Sequence, residues 1–194
     1  MAAFSKKAII FGFLMFLMFT LNAQETAAGN GPISSYLIEM YKNWTNKSGP
    51  ANPKIPFNAT VVQAMYFAPI RGKSSNPLKL TVDIGKKKGA KLTRDELHIY
   101  IIKPANSPNA QTFTIKITDS QSKKMMASRK ITLQTSGWIT ISLNLSVQAW
   151  FDSGKGVKSL TVELVFENAI ANGHKEPRIA TGSAKRPYLI IYMD

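Results

Sequence analysis

The chain contains no cysteine. That excludes disulfide staples, a thiol nucleophile and any cysteine-ligated metal centre, so the fold must be held by burial of apolar side chains. Only two histidines occur, His98 and His174, at no spacing that makes a metal-ligand pair. Acidic residues are scarce, 11 against 25 lysines and arginines, for a formal net charge of +14. The adjacent Asp95 and Glu96 would face opposite sides of a strand, so they cannot work together as acid and base. Gly154-Lys155-Gly156 lacks the third glycine and the strand-to-helix setting of a phosphate loop. The residues supply no chemistry of an enzyme, and the reading is a non-catalytic protein with no cofactor and no metal.

Long apolar runs are also missing after the first two dozen residues. At the N-terminus, Lys6 and Lys7 precede an apolar stretch over 8–21, broken only by Gly12 and Thr20. Leu21-Asn22-Ala23 follows, with a small residue before the cut. The stretch is shorter than the roughly 20 residues of a spanning helix, so 1–23 reads as a signal peptide. The mature chain would begin near Gln24, be secreted to the extracellular space and have no membrane span. Four Asn-X-Ser/Thr triplets, at Asn43, Asn46, Asn58 and Asn144, fit a secreted glycoprotein. Signal removal takes away two lysines and leaves a strongly basic chain. Its natural partners are anionic glycosaminoglycans such as heparan sulfate, anionic cell surfaces or acidic proteins. No RNA-binding aromatic motif, zinc spacing or recognition-helix pattern is present, so nucleic acid is not among the expected partners.

One helix is expected, over 34–46. Leu37, Met40, Tyr41 and Trp44 recur at i, i+3, i+4 and i+7 and form a single apolar stripe. Asn46 points away from the stripe and Asn43 sits to its side, so glycans there would leave it free to dock. A proline-rich linker follows, and from residue 57 the apolar period changes to two. Strands are expected over 61–67, 78–84, 97–102, 113–118, 130–133, 138–143, 160–167 and 188–193, separated by turn residues. A short helix capped by Asn144 or Ser146 should run to about residue 151. The fold class is mainly β: an antiparallel β-sandwich, jelly-roll-like, with one N-terminal amphipathic helix and one short helix between strands. The domains are 1–23, signal peptide; 24–56, helix and linker; and 57–194, β-sandwich.

These segments, in this order, resemble the arm domain of the propeptides of the transforming growth factor-β superfamily. The most specific run is Gly137-Trp138-Ile139-Thr140-Ile141-Ser142-Leu143-Asn144-Leu145-Ser146-Val147-Gln148-Ala149-Trp150: tryptophan, strand, capping residue, short helix, second tryptophan. Leu78-Lys79-Leu80-Thr81-Val82-Asp83-Ile84 resembles the first long arm strand, and Leu92-Thr93-Arg94-Asp95-Glu96-Leu97-His98-Ile99-Tyr100 the family's Ala-Glu-Leu-Arg-Leu-Tyr strand, departing at Asp95 and His98. Arg186-Pro187-Tyr188-Leu189-Ile190-Ile191-Tyr192 is similar to the closing strand, and Tyr36-Leu37-Ile38-Glu39-Met40-Tyr41 to the helix before the arm. The family's propeptide is followed by an Arg-X-X-Arg cleavage site and a cystine-knot growth factor. This sequence reaches Asp194 without either, so the expectation is an arm domain without the mature growth factor. The resemblance implies a partner: a growth factor of that superfamily, held non-covalently.

The helical stripe Leu37, Met40, Tyr41 and Trp44 either docks on the chain's own sheet or meets that partner. Trp138 and Trp150 read as structural residues flanking the strand–helix junction rather than as a sugar-stacking platform. Lys86, Lys87, Lys88 and Lys91 are the densest basic cluster and the first choice for polyanion binding. Lys123-Lys124, Arg129-Lys130, Lys155, Lys158, Lys175 and Lys185-Arg186 also fall in or near loops, and several gathered at one end would hold sulfated polysaccharide. The expected function is a propeptide-like carrier, antagonist or folding partner of a growth factor. The alternative is a basic matrix or cell-surface module that binds glycosaminoglycan.

Overall fold

The computed structural model describes residues 39, 59, 61–70, 76–84, 89–105, 110–154, 156–166 and 176–194. Over these the chain forms two antiparallel sheets packed face to face. In chain order the strands are β1 (Val61–Tyr66), β2 (Leu78–Asp83), β3 (Leu92–Ile102), β4 (Gln111–Asp119), β5 (Met125–Leu133), β6 (Gly137–Ser142), β7 (Val157–Phe166), β8 (Arg178–Ile179) and β9 (Tyr188–Met193). A short helix α1 (Gln148–Asp152) lies between β6 and β7, and a 3-10 turn (Ser183–Lys185) precedes β9. The first sheet runs β1-β9-β3-β6, with β8 extending the pairing of β3; the second runs β2-β7-β4-β5.

The period-two pattern explains which side of each strand faces in. On β2, Leu78, Leu80 and Val82 point into the sandwich; on β4, Phe113, Ile115 and Ile117; on β7, Leu160, Val162 and Leu164. Leu97, Ile99 and Ile101 of β3 meet them from the first sheet, with Leu189, Ile191 and Met193 of β9. All belong to one continuous core, and each fully buried side chain of this size contributes about 1.5–3 kcal/mol. Asn76 extends the β2 edge by another means. Its side-chain amide donates to the Leu164 carbonyl at 2.8 Å and its Oδ1 accepts from Leu164 N–H at 2.9 Å, doing the work of one further ladder rung.

The eight expected strands are all present, with differences at their ends. β3 and β5 begin five residues earlier than the apolar alternation suggests, because Arg94, Asp95 and Glu96 on β3 and Ser128 and Arg129 on β5 mask it. β8 is only two residues long and carries no period of its own. The short helix is also present, but its expected cap is not. The N-cap is Val147, and neither Asn144 nor Ser146 makes a capping hydrogen bond. Asp95, reaching across from β3, instead holds the turn that leads into the helix, accepting the N–H groups of Leu145 and Val147. The expected helix over 34–46 and its linker lie outside the described residues apart from Glu39, which is helical and exposed.

Registers fix what gathers at each end. At one end lie Lys91, α1, the β4–β5 turn at 120–124 and the close of β9. Ile84 N–H donates to the Gly156 carbonyl there, and Ser120 N–H to that of Ser159. At the other end lie the close of β3, the start of β6, β8 and the turn before β9.

Candidate partner-binding face

The outward faces of the two sheets are chemically unlike each other. On the second sheet the outward side chains are largely hydroxyls, several paired across strands: Thr81 with Ser159 at 3.0 Å, Thr112 with Thr132 at 3.0 Å and Ser120 with Thr161 at 2.9 Å. That is a water-facing surface. The first sheet carries a second apolar cluster on its outward face, built from Ala59, Val62, Tyr188, Ile190 and Tyr192, with Ala64 and Tyr66 packed against it. Tyr188 and Tyr192 are 3% and 1% exposed. β9 reads Tyr-Leu-Ile-Ile-Tyr-Met and is buried at every position, because odd residues fill the core and even ones this outer cluster.

A polar network is set into the same face. Arg94 Nε–H donates to Glu96 Oε1 at 2.6 Å, and His98 Nε2 lies 3.3 Å from Glu96 Oε2. His98 Nδ1 lies 3.2 Å from Thr140 Oγ1 on β6, and its ring stacks on Tyr188 with centroids 4.6 Å apart. Burial pushes the Glu96 carboxyl up, but the hydrogen bond to His98 and the Arg94 charge outweigh it, so Glu96 titrates below its ordinary value. Asp95, the next residue, points the opposite way, as strand geometry requires. Its carboxylate accepts Leu145 N–H at 2.9 Å and Val147 N–H at 3.3 Å. Burial outweighs those bonds and raises its pKa.

Towards the far end the face opens to solvent. Trp138 on β6 is 37% exposed. It meets Tyr100 of β3 edge-on at 5.5 Å and Tyr188 at 5.3 Å. Lys185 Nζ lies 4.1 Å above the Tyr100 ring, and the Arg186 guanidinium 4.5 Å above Tyr66.

Of the residues expected to matter, Trp150 and Trp138 separate. Trp150 is buried, and its Nε1–H donates to Asp119 Oδ2 at 2.6 Å. That bond and the N–H groups of Ser122 and Gln121 outweigh burial and hold Asp119 below its ordinary pKa. Trp138 lies on the outer face of the first sheet and not in the core. Asn144 is exposed in a left-handed turn with φ 53°, next to Leu145 with φ 59°. Lys91 is exposed, and its carbonyl accepts Asp194 N–H at 2.9 Å. Leu37, Met40, Tyr41, Trp44, Asn43, Asn46, Asn58, Lys86, Lys87, Lys88 and His174 lie outside the described residues. The outer cluster of Tyr66, Tyr188 and Tyr192 went unread in the sequence. Its one signal was the unbroken apolar run of β9, which marks a strand buried on both sides.

No family model matches the chain, and no curated protein matches it. Among solved structures, an arabinose-bound α-L-arabinofuranosidase aligns with 74% of this chain at 11% identity and a TM-score of 0.18. The alignment spans 22% of that enzyme's own chain. A likeness at that TM-score carries no inference about fold or activity.

Proposed function

We propose that the chain is a secreted, propeptide-like binding protein that engages a growth factor of the transforming growth factor-β superfamily non-covalently, as carrier, antagonist or folding partner. The observation that supports this reading best is the sidedness of the sandwich. One sheet turns hydroxyls to water, and the other carries a second apolar layer on its outside, bordered by the exposed indole of Trp138. The layer itself is buried, so what it offers a partner is a rigid support for the exposed margin of the face at Trp138. The ordered resemblance of 34–193 to the propeptide arm adds to this, as do the strand, turn and short helix that link Trp138 to Trp150. In this reading the stripe Leu37, Met40, Tyr41 and Trp44 contributes apolar side chains to the contact and the sandwich its support.

The test is capture of cystine-knot growth factors by the purified chain at physiological salt. A saturable complex that is lost in Trp44→Asp and in Met40→Asp, and kept when Lys86, Lys87 and Lys88 are neutralised, is the expected result. No complex with any member of the superfamily would sink the proposal.

A further inference from the structure

We infer that the far end of the first sheet's outer face is a binding site for a sulfated polysaccharide, distinct from the lysine cluster at 86–91 and sharing Trp138 with the proposed growth-factor face. Its aromatic floor is Trp138 and Tyr100. Its cations are Lys185, Arg178 and Arg186.

Topology assembles these residues from four separate stretches of sequence. Tyr100 and Trp138 are register partners across β3 and β6. Arg178 pairs with Ile102 two residues further along β3, on the same face as Tyr100. The Ala180 N–H donates to the Tyr100 carbonyl at 2.8 Å and holds the segment after β8 against that strand. Lys185 then returns over the Tyr100 ring and Arg186 over Tyr66.

Three features point to an anionic ligand. Among the described residues none of the three cations makes an ion pair; the ion pairs there join Glu96 to Arg94 and to His98. Cations held against aromatic rings and left without counter-ions are a surface waiting for negative charge. Arg186 Nε makes no hydrogen bond, so no protein acceptor holds the guanidinium at that nitrogen. Trp138 keeps its indole in water beside these charges, although Trp150, in the same sequence motif, is buried.

A sulfated sugar chain satisfies all of this at once. The C–H face of a pyranose packs on an indole or phenol ring, and sulfate oxygens accept from ammonium and forked guanidinium donors. An acidic polypeptide fits less well. Its usual route to a sheet is pairing with an edge strand, and β6 is the edge here. The Thr140 carbonyl on that edge already accepts an Arg129 Nη1–H at 2.7 Å, which interrupts the row of free acceptors an added strand would need.

The experiment is to measure binding of the purified full chain to heparin, and separately to a poly-glutamate chain of matched charge, at physiological salt. Lys185→Glu with Arg178→Glu should weaken heparin binding about tenfold or more. Lys123→Glu with Lys124→Glu makes the same charge change at the opposite end and should cost less than about twofold. Trp138→Ala should weaken binding about threefold to tenfold without altering the slope of log affinity against log salt, because it removes contact and no charge. All these side chains lie at the surface, and circular dichroism melts of each variant establish that the fold is kept. Equal losses from the two charge reversals would overturn the site in favour of diffuse basic charge. Poly-glutamate held as tightly as heparin would overturn it in favour of an acidic polypeptide, and an unchanged Trp138→Ala would overturn the aromatic floor. None of these outcomes depends on whether a growth factor binds, so this site and the carrier reading stand or fall separately.

Discussion

The Asp95 carboxylate on β3 accepts the backbone N–H of Leu145 at 2.9 Å, 50 residues further along the chain. Through this bond and the one to Val147, the first sheet holds the left-handed turn at Asn144 and Leu145 and aims the start of α1. Removing the carboxylate leaves two inward N–H groups without an acceptor. Asp95→Ala should therefore destabilise the fold by about 1–3 kcal/mol per orphaned group, read as a fall in the thermal midpoint. Asp95→Asn keeps one acceptor oxygen and should recover part of the loss. Equal midpoints for wild type and Asp95→Ala would show that the turn is held by something else.

The two tryptophans of the same motif should respond oppositely to truncation. Trp150 is 4% exposed and bonded to Asp119, so Trp150→Ala removes a buried side chain at a cost of about 3–5 kcal/mol. Trp138 is 37% exposed, and Trp138→Ala should cost less than about 1.5 kcal/mol through its contacts with Tyr100 and Tyr188. Denaturant melts of the two variants, compared at constant slope, decide this. A larger loss at Trp138 would contradict the placement.

Acid should act on this fold through two groups of one sign and one of the other. Glu96 and Asp119 have folded pKa values below their ordinary ones, so each contributes stability above the ordinary value, lost as pH falls through the folded value. Asp95 has a raised value, so its ionisation works against the fold as pH rises from the ordinary 3.8 to its folded value. Glu96→Gln should thus flatten the decline of stability below pH 4.5, and Asp95→Asn should steepen it. Urea melts between pH 3 and pH 6 measure both slopes, and two variants moving in the same direction would refute the assignment.

Much of the sandwich was legible because one-sided burial writes itself as alternation. Leu78 to Asp83 alternates cleanly since Lys79, Thr81 and Asp83 face away from the core. The outer face of the first sheet was not legible in the same way. Glu96 and His98 look like solvent-facing polar residues on β3, yet both are buried, because they satisfy each other together with Arg94 and Thr140. The cap of α1 was misread for a related reason. Capping by Asn144 or Ser146 is a local rule; no side chain caps the helix, and the turn before it is held by Asp95, 50 positions away in sequence from the Leu145 N–H it accepts. Contacts of that separation leave no periodic trace. The cations at the far end share this property, since Arg178 and Lys185 reach the Tyr100 strand only through the β8 pairing and the turn before β9.

The Lys185–Tyr100 contact makes a last prediction that separates charge from packing. Lys185 is exposed, and its ammonium sits 4.1 Å from a ring that is itself only partly buried. At an exposed site such a contact is worth about 0.5–1 kcal/mol. Lys185→Arg should keep it, because a guanidinium stacks on an aromatic face at least as well. Lys185→Gln should lose it, lowering stability by that amount and leaving Tyr100 more open to water. Tyrosine fluorescence quenching by iodide does not isolate the second effect, since removing the cation has two opposed consequences for an anionic quencher. It uncovers the ring, which raises quenching, and it weakens the local attraction for iodide, which lowers it. Acrylamide, being neutral, reports the uncovering alone. Greater quenching by acrylamide in Lys185→Gln but not in Lys185→Arg is the expected pattern, and equal quenching in all three proteins would show that the ammonium does not rest on the ring in solution.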